Sequence, residues 1–126
     1  VLSPSWSPDG KQLVFTGLVG GITNLYIANA DGTGLRQLTD DRFGDMQPSW
    51  SPDGKAIAFA SDRDTDFDVL RLGRWRISLY DLASGRVTEL PNQAGLNINP
   101  QWAPDSRSIA FVSDRNGTAN LFLFDL

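Results

Sequence analysis

One segment of twelve residues occurs three times along this chain, each time with a tryptophan followed two residues later by a Pro-Asp pair. The three copies run from Pro4 to Phe15, from Pro48 to Phe59 and from Pro100 to Phe111. Their tryptophans lie 44 and 52 residues apart. Internal repetition at such a period is typical of proteins built from stacked, equivalent units, and it restricts the possible folds more than any other feature of this sequence.

Each repeat unit has the pattern of four short β-strands. The first strand ends at the tryptophan, the second is a Leu/Ile-x-Phe run, the third carries an aromatic residue after a leucine, and the fourth is polar. The aromatic residues of the third strands are Tyr26, Tyr80 and Phe122. Apolar and polar residues alternate in these runs, Gly-containing tripeptides mark the turns, and no stretch has a sustained helical period.

Four strands per unit at this period predict an all-β fold made of β-propeller blades. We expect three antiparallel, four-stranded blades at residues 1–44, 45–96 and 97–126, the last lacking its outer strand. Because propellers close with about 4–8 blades, three blades form a partial ring with two uncovered apolar faces. Self-association or additional blades would cover them. The chain opens at Val1 without a visible signal peptide, so we expect it to be a piece of a longer protein.

Two local features of the repeats carry specific expectations. In the Pro-Asp-Gly turn, Pro fixes φ, Asp accepts backbone N–H bonds and Gly adopts a positive φ. Ser106 replaces this Gly in the third copy, which predicts either a different turn type or local strain. The tryptophans are expected to be wedges between neighbouring blades, each with an N–H group that needs a partner.

The composition excludes several classes of function. Asp and Glu number 15 against 11 Lys and Arg, and this acidic balance argues against nucleic acid or an anionic membrane as the main partner. The chain contains no Cys and no His, which excludes disulfides, thiolate or imidazole metal sites, Cys nucleophiles and His-based triads. No apolar run is long enough to span a membrane. We therefore expect no catalytic residues, no metal and no cofactor.

The run Trp-Ser-Pro-Asp-Gly-Lys-x-Ile-Ala-Phe-x-Ser-Asp-Arg, followed by Leu-Tyr and then Leu-Thr, resembles the repeat of TolB-like propellers, which are related in shape to WD-repeat blades. The first copy departs from it, with Thr16, Gly17 and Leu18 in place of Ser-Asp-Arg. The resemblance implies a periplasmic or extracellular bacterial setting. It also implies a non-enzymatic scaffold with protein partners on a rim or at the mouth of the central channel.

Two other functions stay open. The chain could be the accessory or gating propeller of a larger enzyme, such as a peptidase, whose catalytic domain is absent here. An enzyme site within the ring itself, as in some sugar-active propellers, is the least favoured, because the chain offers neither His nor a pair of glutamates. Fold class alone decides none of these, since propellers host many unrelated functions.

The candidate binding site lies on one rim of the blades. The spacing from the second-strand phenylalanine to the third-strand aromatic residue is ten residues longer in blade two than in the other blades. We expect these extra residues, within 61–76, to form a loop on the same rim as the connections at 39–47 and 91–99. The candidates in the inserted loop are Asp62, Arg63, Asp64, Asp66, Asp68, Arg71, Arg74, Trp75 and Arg76. The rim-facing candidates in the connections are Arg42, Asp45, Asn97 and Asn99. In the alternative interpretation, Trp75 packs at the base of the loop and the arginines pair with neighbouring aspartates.

Alternating aspartates between Asp62 and Asp68 allow a calcium hypothesis, since oxygen ligands suit a hard cation. The rest of the loop does not follow the calcium pattern, because Phe67 stands where the sharp-turn Gly belongs and Gly73 where the bidentate Glu belongs. The alternative is a solvated acidic turn. We interpret the Asp-Arg pairs at 62–63 and 114–115 as structural, with Asp capping the turn after the second strand and Arg pairing inside the blade.

Overall fold

The computed structural model describes residues 2–40, 44–62 and 75–126, and the regular structure in these ranges is entirely β-strand. The strands are β1 (Leu2–Trp6), β2 (Gln12–Val19), β3 (Ile22–Asn29), β4 (Arg36–Gln37), β5 (Asp45–Trp50), β6 (Ala56–Ser61), β7 (Arg76–Asp81), β8 (Val87–Glu89), β9 (Asn97–Trp102), β10 (Ser108–Ser113) and β11 (Asn120–Asp125). Across these ranges there is no helix with the length and apolar character needed to cross a membrane.

The strands form three antiparallel sheets that follow one another along the chain. The sheet orders are β1-β2-β3-β4, β5-β6-β7-β8 and β9-β10-β11. The first strands of neighbouring sheets contact each other, β1 with β5 and β5 with β9, whereas no contact joins β4 to β8 in the described ranges. The sheets therefore fan out from their first strands as blades of an unclosed ring, which confirms the predicted fold class, including the third blade without an outer strand.

Two apolar clusters hold the blades face to face. At the first junction, the buried residues are Val14, Leu25 and Ile27 from blade one and Trp50, Ile57 and Phe59 from blade two. At the second junction, they are Ala58, Ala60, Ile77 and Leu90 from blade two and Ile109 and Phe111 from blade three. Successive residues of β6 thus point to opposite junctions, and because both faces are buried, this strand is apolar from Ala56 to Ala60.

Trp50 and Trp102 pack between blades as the sequence predicts, but the surroundings of the three indole N–H groups differ. Trp102 Nε1 donates a hydrogen bond of 3.0 Å to the backbone oxygen of Ser49, which joins blade three to blade two. Trp50 is buried between blades one and two, yet its Nε1 has no hydrogen-bond partner among the described residues. Trp6 is 57% exposed on the uncovered face of blade one. The expectation of a partner for every indole N–H is therefore wrong for Trp50.

The Pro-Asp turns use the aspartate as expected. Asp9 Oδ1 accepts hydrogen bonds from the Ser7 hydroxyl (2.6 Å) and the Lys11 N–H (2.9 Å), and Asp53 is held in the same way by Ser51 and Lys55. In both turns, the serine hydroxyl is the main cause and the backbone N–H the second cause of a lowered carboxyl pKa. Hydrogen bonds of this kind stabilise the charged carboxylate.

The turn of the third repeat has the same form with a strained residue in it. Ser106 has φ 60°, close to the 72° and 77° of Gly10 and Gly54, and its N–H closes the equivalent turn to Ala103 at 3.0 Å. Of the two alternatives predicted for this serine, the structure therefore has strain within an unchanged turn. A left-handed φ costs a residue with a Cβ on the order of 1 kcal/mol.

The register between strands corrects the predicted size of the insertion. Phe15 pairs with Tyr26 and Phe111 with Phe122, in both cases 11 residues later, whereas Phe59 pairs with Ser78, 19 residues later. Blade two therefore has eight extra residues here, not ten. Tyr80 lies two residues beyond the position equivalent to Tyr26, and alternation alone cannot detect this shift, because residues two apart share a face of the sheet.

The two outward faces of the partial ring remain apolar. Leu121 and Leu123 in β11 are 72% and 70% exposed, although by register they are equivalent to Leu25 and Ile27 of blade one, which the next blade buries. Trp6 lies on the opposite outward face. By strand register this face of blade one is equivalent to the face of blade two that carries Trp50. The uncovered faces thus carry the same residue types as the two faces that meet at each junction.

Candidate binding rim

One end of the blades carries the candidate site residues that the structure describes. We call this end the connection rim: it contains the turns between the second and third strands of each blade and the connections from one blade to the next. The Pro-Asp turns lie at the other end, the hairpin rim. This division follows from the antiparallel order of the strands, because alternate turns fall at opposite ends of a sheet.

Asp62 holds the connection between blades one and two. Its Oδ1 accepts a hydrogen bond of 2.6 Å from the N–H of Gly44, and its own N–H donates to the Gly44 oxygen at 3.2 Å. A Cβ on Gly44 would lie 3.2 Å from the Trp75 ring and 3.3 Å from the Thr23 hydroxyl. The absence of a side chain at Gly44 therefore lets Trp75 pack over the connection.

Asp114 repeats this arrangement in blade three. Its Oδ1 accepts a hydrogen bond of 2.7 Å from the N–H of Leu96, in the connection that precedes β9. We call each such carboxylate and the N–H group that it holds a connection latch. The predicted role of Asp114, capping the turn after the second strand, is wrong in this detail, because the carboxylate binds the incoming connection. By strand register the equivalent residue of blade one is Leu18, one position beyond Gly17, and its aliphatic side chain cannot accept the hydrogen bond of a latch.

Asn97 joins the connection to the hairpin through Arg115. Its Nδ2 donates to the backbone oxygens of Gly95 and Ala94 at 3.1 and 3.3 Å, and its Oδ1 accepts a hydrogen bond of 3.1 Å from Arg115 Nη2. The Arg115 guanidinium lies over the rings of Phe111 and Phe122, 5.2 and 4.5 Å from their centres. The prediction that this arginine pairs inside its own blade is confirmed. The Ser-Asp-Arg motif is the sequence signal for this network.

Asp45 and Asn97 do not face the solvent. They begin the first strands of blades two and three, pair with Ser61 and Ser113, and are both 0% exposed. The expectation that these two candidates are rim-facing is therefore wrong. The physical reason is visible for Asn97: its amide satisfies backbone and guanidinium groups that would otherwise be buried without partners.

Arg76 and Trp75 enter β7 at the base of the inserted loop. Arg76 Nη1 lies 2.7 Å from Glu89 Oε1 in β8, and both side chains are about three-quarters buried. Trp75 is partly buried against the second apolar cluster, and its backbone oxygen accepts the N–H of Asn97 at 2.9 Å. These contacts fix Trp75 at the junction of blades two and three, whereas Arg76 lies on the opposite face of β7, the face of Tyr80 that packs towards blade one.

Among the connection candidates that the structure describes, Asn99 is the exposed one. It has a φ of 56° directly before a proline, and its N–H donates to Gln47 Oε1 of blade two at 2.9 Å. Gln47 and Ser3 occupy the same position in their blades, with φ of 55° and 53°. This repeated conformation was not predicted, although a polar residue before each repeat proline marks it in the sequence. Such strain persists only where surrounding contacts hold it.

Seven of the predicted candidates lie outside the described residues. They are Arg42, Arg63, Asp64, Asp66, Asp68, Arg71 and Arg74. Asp62 is the member of the proposed calcium set that the structure describes, and its carboxylate is used by the latch to Gly44. Within 2–40, 44–62 and 75–126, no three acidic side chains come together in a way that could hold a metal ion.

The repeated sequence units match a known family. The family model described as TolB beta propeller domain matches residues 1–73 of the chain. The chain belongs to this family. The part of the TolB propeller that the structure describes thus includes two complete blades and a third of three strands.

The individual relatives include TolB proteins and a peptidase. A Tol-Pal system protein TolB from Gluconobacter oxydans is 32% identical over 105 residues, which cover 83% of this chain and 21% of the relative. The crystal structure of TolB from Acinetobacter baumannii superposes with a TM-score of 0.80 at 28% identity, over 98% of this chain and 29% of that one. Dipeptidyl-peptidase 5 of Porphyromonas gingivalis is 33% identical over 129 residues, 94% of this chain and 18% of the relative. The chain thus spans well under half the length of the curated relatives that it matches.

Proposed function

We propose that this chain is part of a non-enzymatic, periplasmic scaffold that binds a protein partner on its connection rim. The observation that carries the proposal is the connection latch, which occurs in two blades and holds each blade-to-blade connection against a hairpin. Loops held on a rigid scaffold are the usual place for binding, because little conformational entropy is lost when the partner docks. The TolB family supports the periplasmic setting.

The chemistry of the rim favours a protein partner. Trp75, Arg76 and Asn99 combine an aromatic surface, a guanidinium and an exposed amide, and Trp and Arg are enriched where protein interfaces concentrate their binding energy. The net charge of −4 gives no basic face for nucleic acid. With neither His nor Cys in the chain, an activated nucleophile on this rim would need an unusual base.

The partner class that we propose is a component of the Tol-Pal system, which the name of the Gluconobacter relative contains. The test is calorimetric titration of the purified 126-residue chain with the periplasmic domain of Pal. We expect saturable binding, and Arg76→Ala should weaken it by about tenfold, as for the loss of one important interface contact.

Two control variants separate binding from folding. Glu89→Ala breaks the same ion pair as Arg76→Ala but leaves the arginine available, so binding should fall less. Lys55→Ala, on the hairpin rim, should leave the affinity unchanged. Absence of any heat of binding to Pal at concentrations where the chain remains folded would contradict the proposed partner. Equal losses in all three variants would contradict the proposed rim.

A second candidate is the accessory propeller of a peptidase, which the identity to dipeptidyl-peptidase 5 over nearly the whole chain favours. In such a protein the ring would gate access to a catalytic domain encoded next to it. The complete reading frame distinguishes the two functions: a Gly-x-Ser-x-Gly nucleophile motif beside the blades would support the peptidase, and its absence would support the scaffold.

A further inference from the structure

A cleft of about 260 Å³ lies between the Pro-Asp turns of blades one and two, on the hairpin rim. Both turns contribute to its walls, which include Pro8, Asp9, Gln12, Trp50, Asp53 and Gly54. Each of the two blades has all four of its strands. The cleft is therefore a feature of a junction between complete blades, at the opposite end from the connection rim.

The second junction explains why the first one is open at this point. There, the N–H of Asp53 donates a hydrogen bond of 3.0 Å to the hydroxyl of Ser106. In the repeat, Asp9 is equivalent to Asp53, and Gly54 is equivalent to Ser106. Gly54 has no hydroxyl, and the N–H of Asp9 bonds to no other described residue. A Cβ on Gly54 would meet Pro8 at an ordinary contact distance of 3.8 Å, so this glycine keeps the cleft open.

Trp50 supplies a second unused donor in the wall of the cleft. Its side chain is 9% exposed, and its Nε1 has no hydrogen-bond partner among the described residues. The equivalent Trp102 donates from Nε1 to the Ser49 oxygen at 3.0 Å. Because a buried N–H without an acceptor is costly, a ligand oxygen brought to this wall would be stabilised.

The same cleft also offers acceptors. In Asp9 and Asp53, Oδ1 accepts hydrogen bonds from a serine and from a lysine N–H, whereas Oδ2 accepts none from the described residues. The side-chain amide of Gln12 can both donate and accept. An anion here would meet two carboxylates, and a cation would meet two N–H donors. A neutral hydroxyl, which donates and accepts, suits both kinds of group.

We propose that this cleft binds a small neutral sugar or polyol, with one ligand hydroxyl in the place that the Ser106 hydroxyl takes at the second junction. That hydroxyl accepts the Asp9 N–H, and other hydroxyls donate to the free carboxylate oxygens of Asp9 and Asp53. Pro8 and Trp50 form the apolar part of the wall. The volume is below the roughly 300–1,000 Å³ of pockets for drug-sized ligands, and it suits a single sugar ring.

The test is an NMR titration of the isotope-labelled 126-residue chain with glucose. The signals of the Asp9 backbone N–H and the Trp50 indole N–H should shift saturably, with a Kd of about 1 mM, because a ligand of this size binds weakly. Gly54→Ser puts a serine where blade three has Ser106, so it should weaken glucose binding by at least about tenfold. Gly10→Ser adds the same strained serine in open space and should leave the Kd unchanged.

Trp50→Phe is the second variant, and it decides the test if Gly54→Ser does not fold. It keeps an aromatic wall but removes the indole N–H, so the Kd read from Asp9 should rise about fivefold.

Methylammonium chloride tests the ligand chemistry. Saturable shifts with methylammonium but not with glucose would overturn the choice of a neutral hydroxyl ligand. Glucose binding of equal affinity in the wild type, Gly54→Ser and Trp50→Phe would overturn the cleft as its location. Absence of a saturable shift at about 100 mM glucose, far above the expected Kd, would overturn the site itself.

Discussion

The backbone N–H of Asp53 donates a hydrogen bond of 3.0 Å to the hydroxyl of Ser106, so the Pro-Asp turns of blades two and three are joined across the junction. A glycine at position 106 would relieve the left-handed strain but would lack this hydroxyl. The serine that breaks the Pro-Asp-Gly pattern therefore has a contact that offsets its backbone strain.

The exchange Ser106→Gly should change the free energy of unfolding by less than about 0.5 kcal/mol. Relief of the positive φ stabilises the chain by on the order of 1 kcal/mol, and the lost hydrogen bond removes a similar amount. The reverse exchange Gly10→Ser is the control, because no atom lies near a Cβ at Gly10. It should destabilise by about 1 kcal/mol. Urea unfolding measures both, and equal effects of the two variants would contradict the compensation.

The turn aspartates predict a loss of stability in acid. The pKa values of Asp9, Asp31 and Asp53 are lowered from 3.8, first by the hydroxyls of Ser7, Thr33 and Ser51 and next by backbone N–H groups. A lowered folded-state pKa contributes stability above the ordinary pKa, and this stability is lost as the pH falls through the folded value. When the free energy of unfolding is measured at a series of pH values from neutral downwards, it should therefore decline once the pH falls below 3.8.

The exchange Ser51→Ala tests the cause of this decline. It removes the hydroxyl that most lowers the pKa of Asp53, so that pKa should rise towards 3.8 in an NMR titration of the carboxyl carbon. The pKa of Asp9, in the corresponding turn of blade one, serves as the internal control and should not move. A Ser51→Ala chain with an unchanged Asp53 pKa would show that the hydroxyl is not the cause.

Gly95 should tolerate no side chain. A Cβ there would lie 2.5 Å from Asp114 Oδ1 and 3.1 Å from the Arg115 backbone, and its φ of 71° is left-handed. Gly95→Ala should cost about 3 kcal/mol, from strain together with overpacking against the latch. Gly117→Ala, with a φ of 85° and open space, should cost only about 1 kcal/mol. Thermal unfolding compares them, and similar costs would mean that the connection moves freely to make room.

The uncovered leucines predict association of the isolated chain. We expect copies to associate head to tail, with the Leu121 face of one against the Trp6 face of the next, because these faces match those of the internal junctions. Leu121→Arg should shift the mass measured by light scattering towards the monomer. Leu35→Arg, equally exposed but in a turn, is the control and should leave the mass unchanged. A dilute, folded wild-type monomer would contradict the prediction.

The repeat was sufficient to predict the sheets, their order and the role of the turn aspartates, because each of these depends on local alternation and turn chemistry. It was not sufficient to place Tyr80, since a shift of two residues preserves alternation and only the hydrogen-bonded register reveals it. The burial of Asn97 depends on Arg115, which lies 18 residues later in the turn between β10 and β11. In the sequence that asparagine is only a polar residue at a strand end, and the exposure predicted from this is wrong.

Each blade contacts only its neighbours in chain order in the described structure, and both junctions use equivalent residues of the repeat. Stability should then be close to a sum of blade and junction contributions. Duplicating or deleting one whole unit by recombination would keep the same residues facing each other at the remaining junctions, and only the angle between blades would have to adjust. Evolution can therefore change the number of blades, and with it the diameter of the ring, with the same set of junction residues.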